Sequence, residues 1–211
     1  GASEGTRDAF ADVRAYVFEA ICGILFGAGF CGSGGRELLG PFEELTSAMF
    51  AAPVNLPFTA FGRALRAKGV ILQRIEEEIQ AHRLGRRDEA CLLRHMLGKV
   101  DLDDPQHEDY MSVAELKAQL LLMMWAGHDT TATALVQTLT LLAEEPALFD
   151  QLREEQLRMG LGANASAEEV AEALGQPPSR ARTRLHDELV LRAMRQRPIV
   201  AVLMRRGLSP F

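Results

Sequence analysis

Cysteine is scarce in this chain: three residues in 211, Cys22, Cys31 and Cys91, odd in number and at no paired spacing. That pattern excludes a disulfide framework and reads as reduced, intracellular thiols. Long hydrophobic runs are also missing. None approaches the roughly 18 uninterrupted apolar residues that a membrane span requires, and no secretory leader opens the sequence. The chain begins with Gly1 rather than Met, so its start is expected not to be the natural one, and an anchor upstream of Gly1 stays open. Positive charge is short too, with 23 Lys and Arg against 29 Asp and Glu and a net charge of −6, unlike a nucleic-acid binder. The balance is uneven, because Arg180 to Arg206 contains eight Arg against Asp187 and Glu188 and leaves −12 for the remainder. Such a basic end suits anionic cofactor groups or an acidic protein surface. Two possible ligand loops lack their key residues. The glycine-rich Gly27–Gly35 has no Lys-Ser/Thr to close a phosphate loop. The acidic stretch Asp101–Asp109 has Gln106 where a calcium loop needs Gly, and no closing Glu.

What is present is one dominant stretch, Met111 to Pro146. Ser112 and Glu115 form a capping-box start, Leu120 to Ala126 is apolar without interruption, and Pro146 marks a stop. The spacing predicts one helix roughly 50 Å long, apolar nearly all round and therefore expected to be buried on every side. Into its middle the sequence places Gly127, His128, Asp129, Thr130, Thr131 and Thr133. Asp and Thr compete for backbone hydrogen bonds and are poor interior helix residues. Two readings follow: a functional break in a buried helix, or a core helix whose Thr hydroxyls bond back to backbone carbonyls. A metal pair is not expected, because His128 and Asp129 are adjacent and should point to different helix faces.

Around this stretch the periodicity predicts helices throughout. Phe10 to Phe26 keeps helical spacing and ends in the Gly27–Gly35 loop. Helices are expected over 36–52, from about Thr59 through Ile79, and between Asp88 and Leu97. After Pro146 they are expected to Met159, after the Ser166/Glu169 cap as far as about Gly175, and from Pro177-Pro178 to about Arg197.

Ala126-Gly127-His128-Asp129-Thr130-Thr131 resembles the signature Ala/Gly-Gly-x-Asp/Glu-Thr-Thr/Ser of the long central helix in cytochrome P450 haem-thiolate monooxygenases, including its apolar lead-in and the following Ala132-Thr133-Ala134-Leu135. Leu56-Pro57-Phe58-Thr59-Ala60-Phe61-Gly62-Arg63-Ala64-Leu65-Arg66-Ala67 resembles a motif of one branch of that family, the retinoic-acid hydroxylases, their bacterial relatives and plant steroid and abscisic-acid hydroxylases. The resemblance implies a mainly α cytochrome P450 fold, incomplete, with residues 1–211 forming the middle of one such domain. In that reading Asp129 and Thr130 deliver protons as the O–O bond of dioxygen is split, and Ala126 and Gly127 line the distal face of the haem. Arg205 pairs with a haem propionate, and Arg195 is the family's structural helix arginine. A hydroxyl and a carboxylate suit that chemistry, because protons must reach oxygen in a water-poor pocket.

The implied reaction is hydroxylation of an apolar retinoid-, sterol- or terpenoid-like substrate. Haem is the cofactor, and dioxygen and an electron-donor protein, a reductase or ferredoxin, are the partners. The cysteine loop that ligates haem iron is expected beyond Phe211 and another haem-contacting helix before Gly1, which makes the isolated chain inactive. The compartment is expected to be intracellular, cytoplasmic or membrane-associated according to what precedes Gly1. Arg192 stands where the family has a glutamate, sharing a helix face with Arg195; Glu188 is its expected i, i+4 partner. That departure supports an alternative, a non-catalytic, haem-free helical relative that binds an apolar ligand.

Overall fold

The structure, a computed structural model, describes residues 8–32, 35–87, 89–162, 164–166, 168–170, 172 and 184–199. Its helices are α1 (Ala9–Phe26), α2 (Ala28–Gly32), a 3-10 turn (Gly35–Leu38), α3 (Leu39–Ser47), α4 (Ala60–Arg83), α5 (Leu92–Leu97), α6 (Val113–Glu144), α7 (Pro146–Arg158) and α8 (Arg184–Gln196). Among the described residues the one β feature is an isolated parallel bridge between Asp101 and Tyr110, so the mainly α expectation holds. No helix among them is long and apolar enough to cross a membrane.

Local side-chain chemistry sets the starts of α1, α4, α5 and α6. Asp8 caps α1 by accepting from the amides of Phe10 and Ala11 at 3.0 and 3.3 Å. Gly27, at φ +98°, ends α1 in a conformation that disfavours any side chain. The segment from Gly27 to Gly35 is not simply the loop expected. It turns at Gly27 and resumes as α2, because Phe30 is buried and its ring stacks on Phe26 at 4.5 Å between centroids. Thr59 caps α4: its hydroxyl accepts from the Gly62 amide at 3.1 Å and donates to the Val54 carbonyl at 2.5 Å. A Cβ on Gly62 would collide with the Leu56 carbonyl. Arg63 and Arg66 then donate to the carbonyls of Phe58 and Pro57 at 3.0 and 2.7 Å. The physical content of the Leu56–Ala67 motif is therefore a sharply turned helix entry. The helix expected from Asp88 starts only at Leu92, where the Cys91 sulfur accepts from the Arg94 amide at 3.4 Å.

The capping box of α6 forms as predicted. The Ser112 amide donates to Glu115 Oε2 at 2.9 Å, and the Glu115 amide donates to Ser112 Oγ at 3.2 Å. The helix runs 32 residues, about 48 Å at the standard rise. It is not buried on every side. Leu116, Leu120, Met124 and His128, four residues apart, are buried, whereas Leu122 is 53% exposed and Trp125, Leu135 and Leu139 are also open. An apolar composition permits burial all round, but burial needs packing partners, and from Val113 to Ala132 only one line of the helix is fully enclosed.

The chain divides into two compact units, residues 1–131 and 132–211, and the division falls within α6. In the first unit Phe18, Cys22, Phe26, Phe42, Ile71, Ile75, Leu116 and Met124 belong to one hydrophobic core. In the second, Leu141, Leu152, Leu189 and Ala193 make a smaller one. Arg192 does not pair with Glu188, which instead meets Arg184 at 2.8 Å. Both terminal nitrogens of Arg192 engage Glu145, and Arg197 reaches Glu144 at 2.8 Å. Glu145 immediately precedes the proline that starts α7 and offers a two-oxygen acceptor to the planar guanidinium, the geometry arginine favours. Arg205 lies outside the described residues, as does the end of the helix expected after Ser166.

Candidate active site

The motif residues of α6 separate onto different sides of the helix. Ala126 and Thr130 are exposed, in line with Leu122 one turn earlier. Together they make an apolar stripe whose polar side chain is the Thr130 hydroxyl. That hydroxyl donates to the Ala126 carbonyl at 2.6 Å, and Thr138 and Thr140 donate to Ala134 and Val136 in the same way, each at 2.8 Å. The back-bonding geometry is thus present at Thr130. A hydroxyl held this way keeps its oxygen lone pairs for a further donor.

Gly127 turns instead toward α1: a Cβ there would lie 2.8 Å from Ile21 Cδ1. Its missing side chain permits close approach of the two helices. Asp129 sits on the flank, where its Oδ1 lies 2.9 Å from His128 Nδ1 and 3.7 Å from an Arg14 guanidinium nitrogen. His128 is buried, its Nε2 lies 3.0 Å from the Arg14 carbonyl, and its ring meets Phe18 and Phe42 edge-on at 6.0 and 5.1 Å. Neither His128 nor Arg14 was among the site residues expected from sequence. The available signal was the four-residue spacing Leu120, Met124, His128, which puts the histidine on the buried line and obliges it to find partners.

Beside the exposed stripe, α3, α4 and α6 enclose an apolar groove of about 630 Å³ lined by Leu45, Met49, Leu72, Leu121, Leu122 and Trp125. Lys117, at its edge, bonds Glu76 at 2.7 Å and holds that carboxyl below its ordinary range. Of the remaining expected residues, Arg195 is exposed on α8 in the second unit, and Arg205 lies outside the described residues. Cys22 is in the core and Cys91 caps α5. Neither sulfur belongs to the stripe.

The stripe fits the face of a flat apolar cofactor such as haem. Leu122 and Ala126 offer apolar contact, the small Ala126 allows close approach to the helix backbone, and no charged side chain stands in that line. Thr130 supplies a hydroxyl at its end.

Comparison with known proteins bears on the same segment. The family model described as Cytochrome P450 matches residues 1–172. The chain is 29% identical over 124 residues to Beta-amyrin 28-monooxygenase CYP716A378 of Saponaria officinalis, covering 56% of this chain and 25% of that protein. It is 27% identical over 128 residues to Cytochrome P450 26A1 of Gallus gallus, covering 61% and 26% respectively. Among solved structures, the retinoic acid bound cyanobacterial CYP120A1 superposes with a TM-score of 0.69 at 23% identity, covering 89% of this chain and 39% of that one. The chain thus spans about a quarter of the length of the curated relatives it matches, 28% in the first case. With the family model covering most of its residues, the chain belongs to the cytochrome P450 family.

Proposed function

We propose that this chain is a segment of a haem-thiolate monooxygenase domain to which both of its units belong, and that the domain hydroxylates an apolar terpenoid-, sterol- or retinoid-like substrate with dioxygen and electrons from a donor protein. The observation that carries the reading is the division of labour on α6. Thr130 puts a hydroxyl on an otherwise apolar, open stripe, while Asp129 is held on its flank as a partly exposed carboxylate. When bound, the haem supplies dioxygen activation and the electron path. Leu122 and Ala126 would pack against its face, with Gly127 letting α6 approach α1 behind them, and Arg205 would pair with a propionate through its guanidinium.

Asp129, partly open to solvent, takes up protons, and the Thr130 hydroxyl passes them into the apolar site once its own proton turns away from the Ala126 carbonyl, to which it donates at rest. The groove lined by Leu72, Leu122 and Trp125 offers apolar walls to an apolar molecule. The names of the relatives support the substrate class, since one is a beta-amyrin monooxygenase and another is a retinoic-acid-bound structure. Arg195 would act structurally, as in the family. A haem-free relative that binds an apolar ligand is the second reading, favoured by Arg192 at the position where the family has a glutamate.

In a full-length protein carrying this segment, Thr130→Ala is expected to lower product formed per electron pair consumed several-fold, with haem content unchanged. Coupling equal to the wild type would overturn the assigned role. A full-length protein that binds the apolar ligand but takes up no haem would establish the second reading.

A further inference from the structure

Both nitrogens of the His128 ring face hydrogen-bond acceptors. Nε2 lies 3.0 Å from the Arg14 carbonyl and Nδ1 lies 2.9 Å from Asp129 Oδ1. A neutral imidazole has one N–H and one bare nitrogen. In either tautomer the bare nitrogen would oppose an oxygen lone pair inside a buried site, where an unmade hydrogen bond costs on the order of 1–3 kcal/mol. Phe18 and Phe42 hold the ring edge-on, which leaves it little room to turn away.

We propose that His128 is the positioning residue of Asp129. The ring carries a proton at each nitrogen, donates from Nε2 to the α1 backbone and from Nδ1 to the carboxylate, and so clamps the carboxylate of α6 to α1. The charges facing the ring agree. Arg14 lies 3.7 Å from Asp129 Oδ1, and its Nε lies 3.5 Å from Glu43 of α3. Glu43 answers Arg14 and Asp129 answers the ring, so the cluster closes as two cations and two anions. In function, the clamp sets the direction from which Asp129 hands protons to Thr130. That consequence rests on the relay role proposed above; the clamp itself does not.

The test is nitrogen-resolved proton NMR of the chain labelled with ¹⁵N-histidine. The wild type should show two slowly exchanging His128 ring N–H protons, with cross-relaxation to the Phe18 and Phe42 rings. Asp129→Asn, nearly isosteric but uncharged, should retain only the Nε2 proton. Arg14→Lys keeps the backbone carbonyl and the charge, and should retain both. One ring proton or none in the wild type, or two in a folded Asp129→Asn, would overturn the proposal. The wild-type count decides alone if that variant fails to fold. Two protons, together with a full-length protein carrying this segment that takes up no haem, would leave the clamp standing and remove the monooxygenase reading.

Discussion

At residue scale the motif of α6 is a set of neighbours with different surroundings. Thr130 looks outward, His128 inward, Asp129 sideways, and Gly127 toward Ile21. The glycine is the most directly testable. Gly127→Val pushes branched carbon into the space filled by Ile21 Cδ1; that methyl is the free end of a flexible side chain and can swing partly aside, so the cost falls at the low end of the overpacking range, about 1 kcal/mol. Valine's better helix propensity returns only a few tenths of a kcal/mol. Denaturant unfolding should show that loss, and Ile21→Ala in the same chain should recover part of it. A Gly127→Val chain as stable as the wild type would show that α1 and α6 do not need the close approach. Asp129 and Thr130 were visible in the sequence because polar residues interrupt an apolar run. Arg14 was not, because 114 positions separate its carbonyl from His128.

At element scale the caps were the most legible features, since a helix start is made by residues three apart. Ser112 with Glu115 and Ser166 with Glu169 form the reciprocal bonds their spacing implies. The Ser112 hydroxyl and then its amide hold the Glu115 carboxyl below the ordinary glutamate range. A carboxyl whose folded-state value lies below its unfolded one stabilises the fold above the unfolded value, about 4.3, and loses that contribution as pH falls through the folded value. The thermal midpoint of the wild type should therefore exceed that of Glu115→Gln near neutral pH, and the gap should close as the solution is acidified below about pH 4. A gap independent of pH would mean that the carboxylate charge has no part in the cap. The misjudged elements have other causes. Phe30 drew an expected loop into α2, and Glu145 took Arg192 from its expected helical neighbour. The Arg192–Glu145 contact joins segments 47 positions apart, whereas Phe30 meets Phe26 only four residues away, across the turn at Gly27.

At the scale of the whole molecule, the family was readable from two short motifs, and the comparisons cover the same residues. Where sulfur sits was not readable in that way. Cys22 is enclosed in the core and Cys91 is engaged at the start of α5 beside His82, 3.7 Å away. A Cys31→Ser chain reconstituted with haemin, reduced and exposed to carbon monoxide should therefore lack the strongly red-shifted Soret band of thiolate ligation. That band in the variant would mean that Cys22 or Cys91 reaches the iron and that the core rearranges to allow it. The sequence by itself determined the helical class, the extent of α6, its caps and the polar break at its centre, because each depends on periodicity or on residues within a turn of one another. The tertiary structure alone decided which side of α6 is enclosed, that Gly127 serves a helix contact, and that His128 ties Asp129 to α1. Composition makes a face capable of burial, but only the packing of distant segments selects the face and brings a carbonyl, a ring and a carboxylate into line.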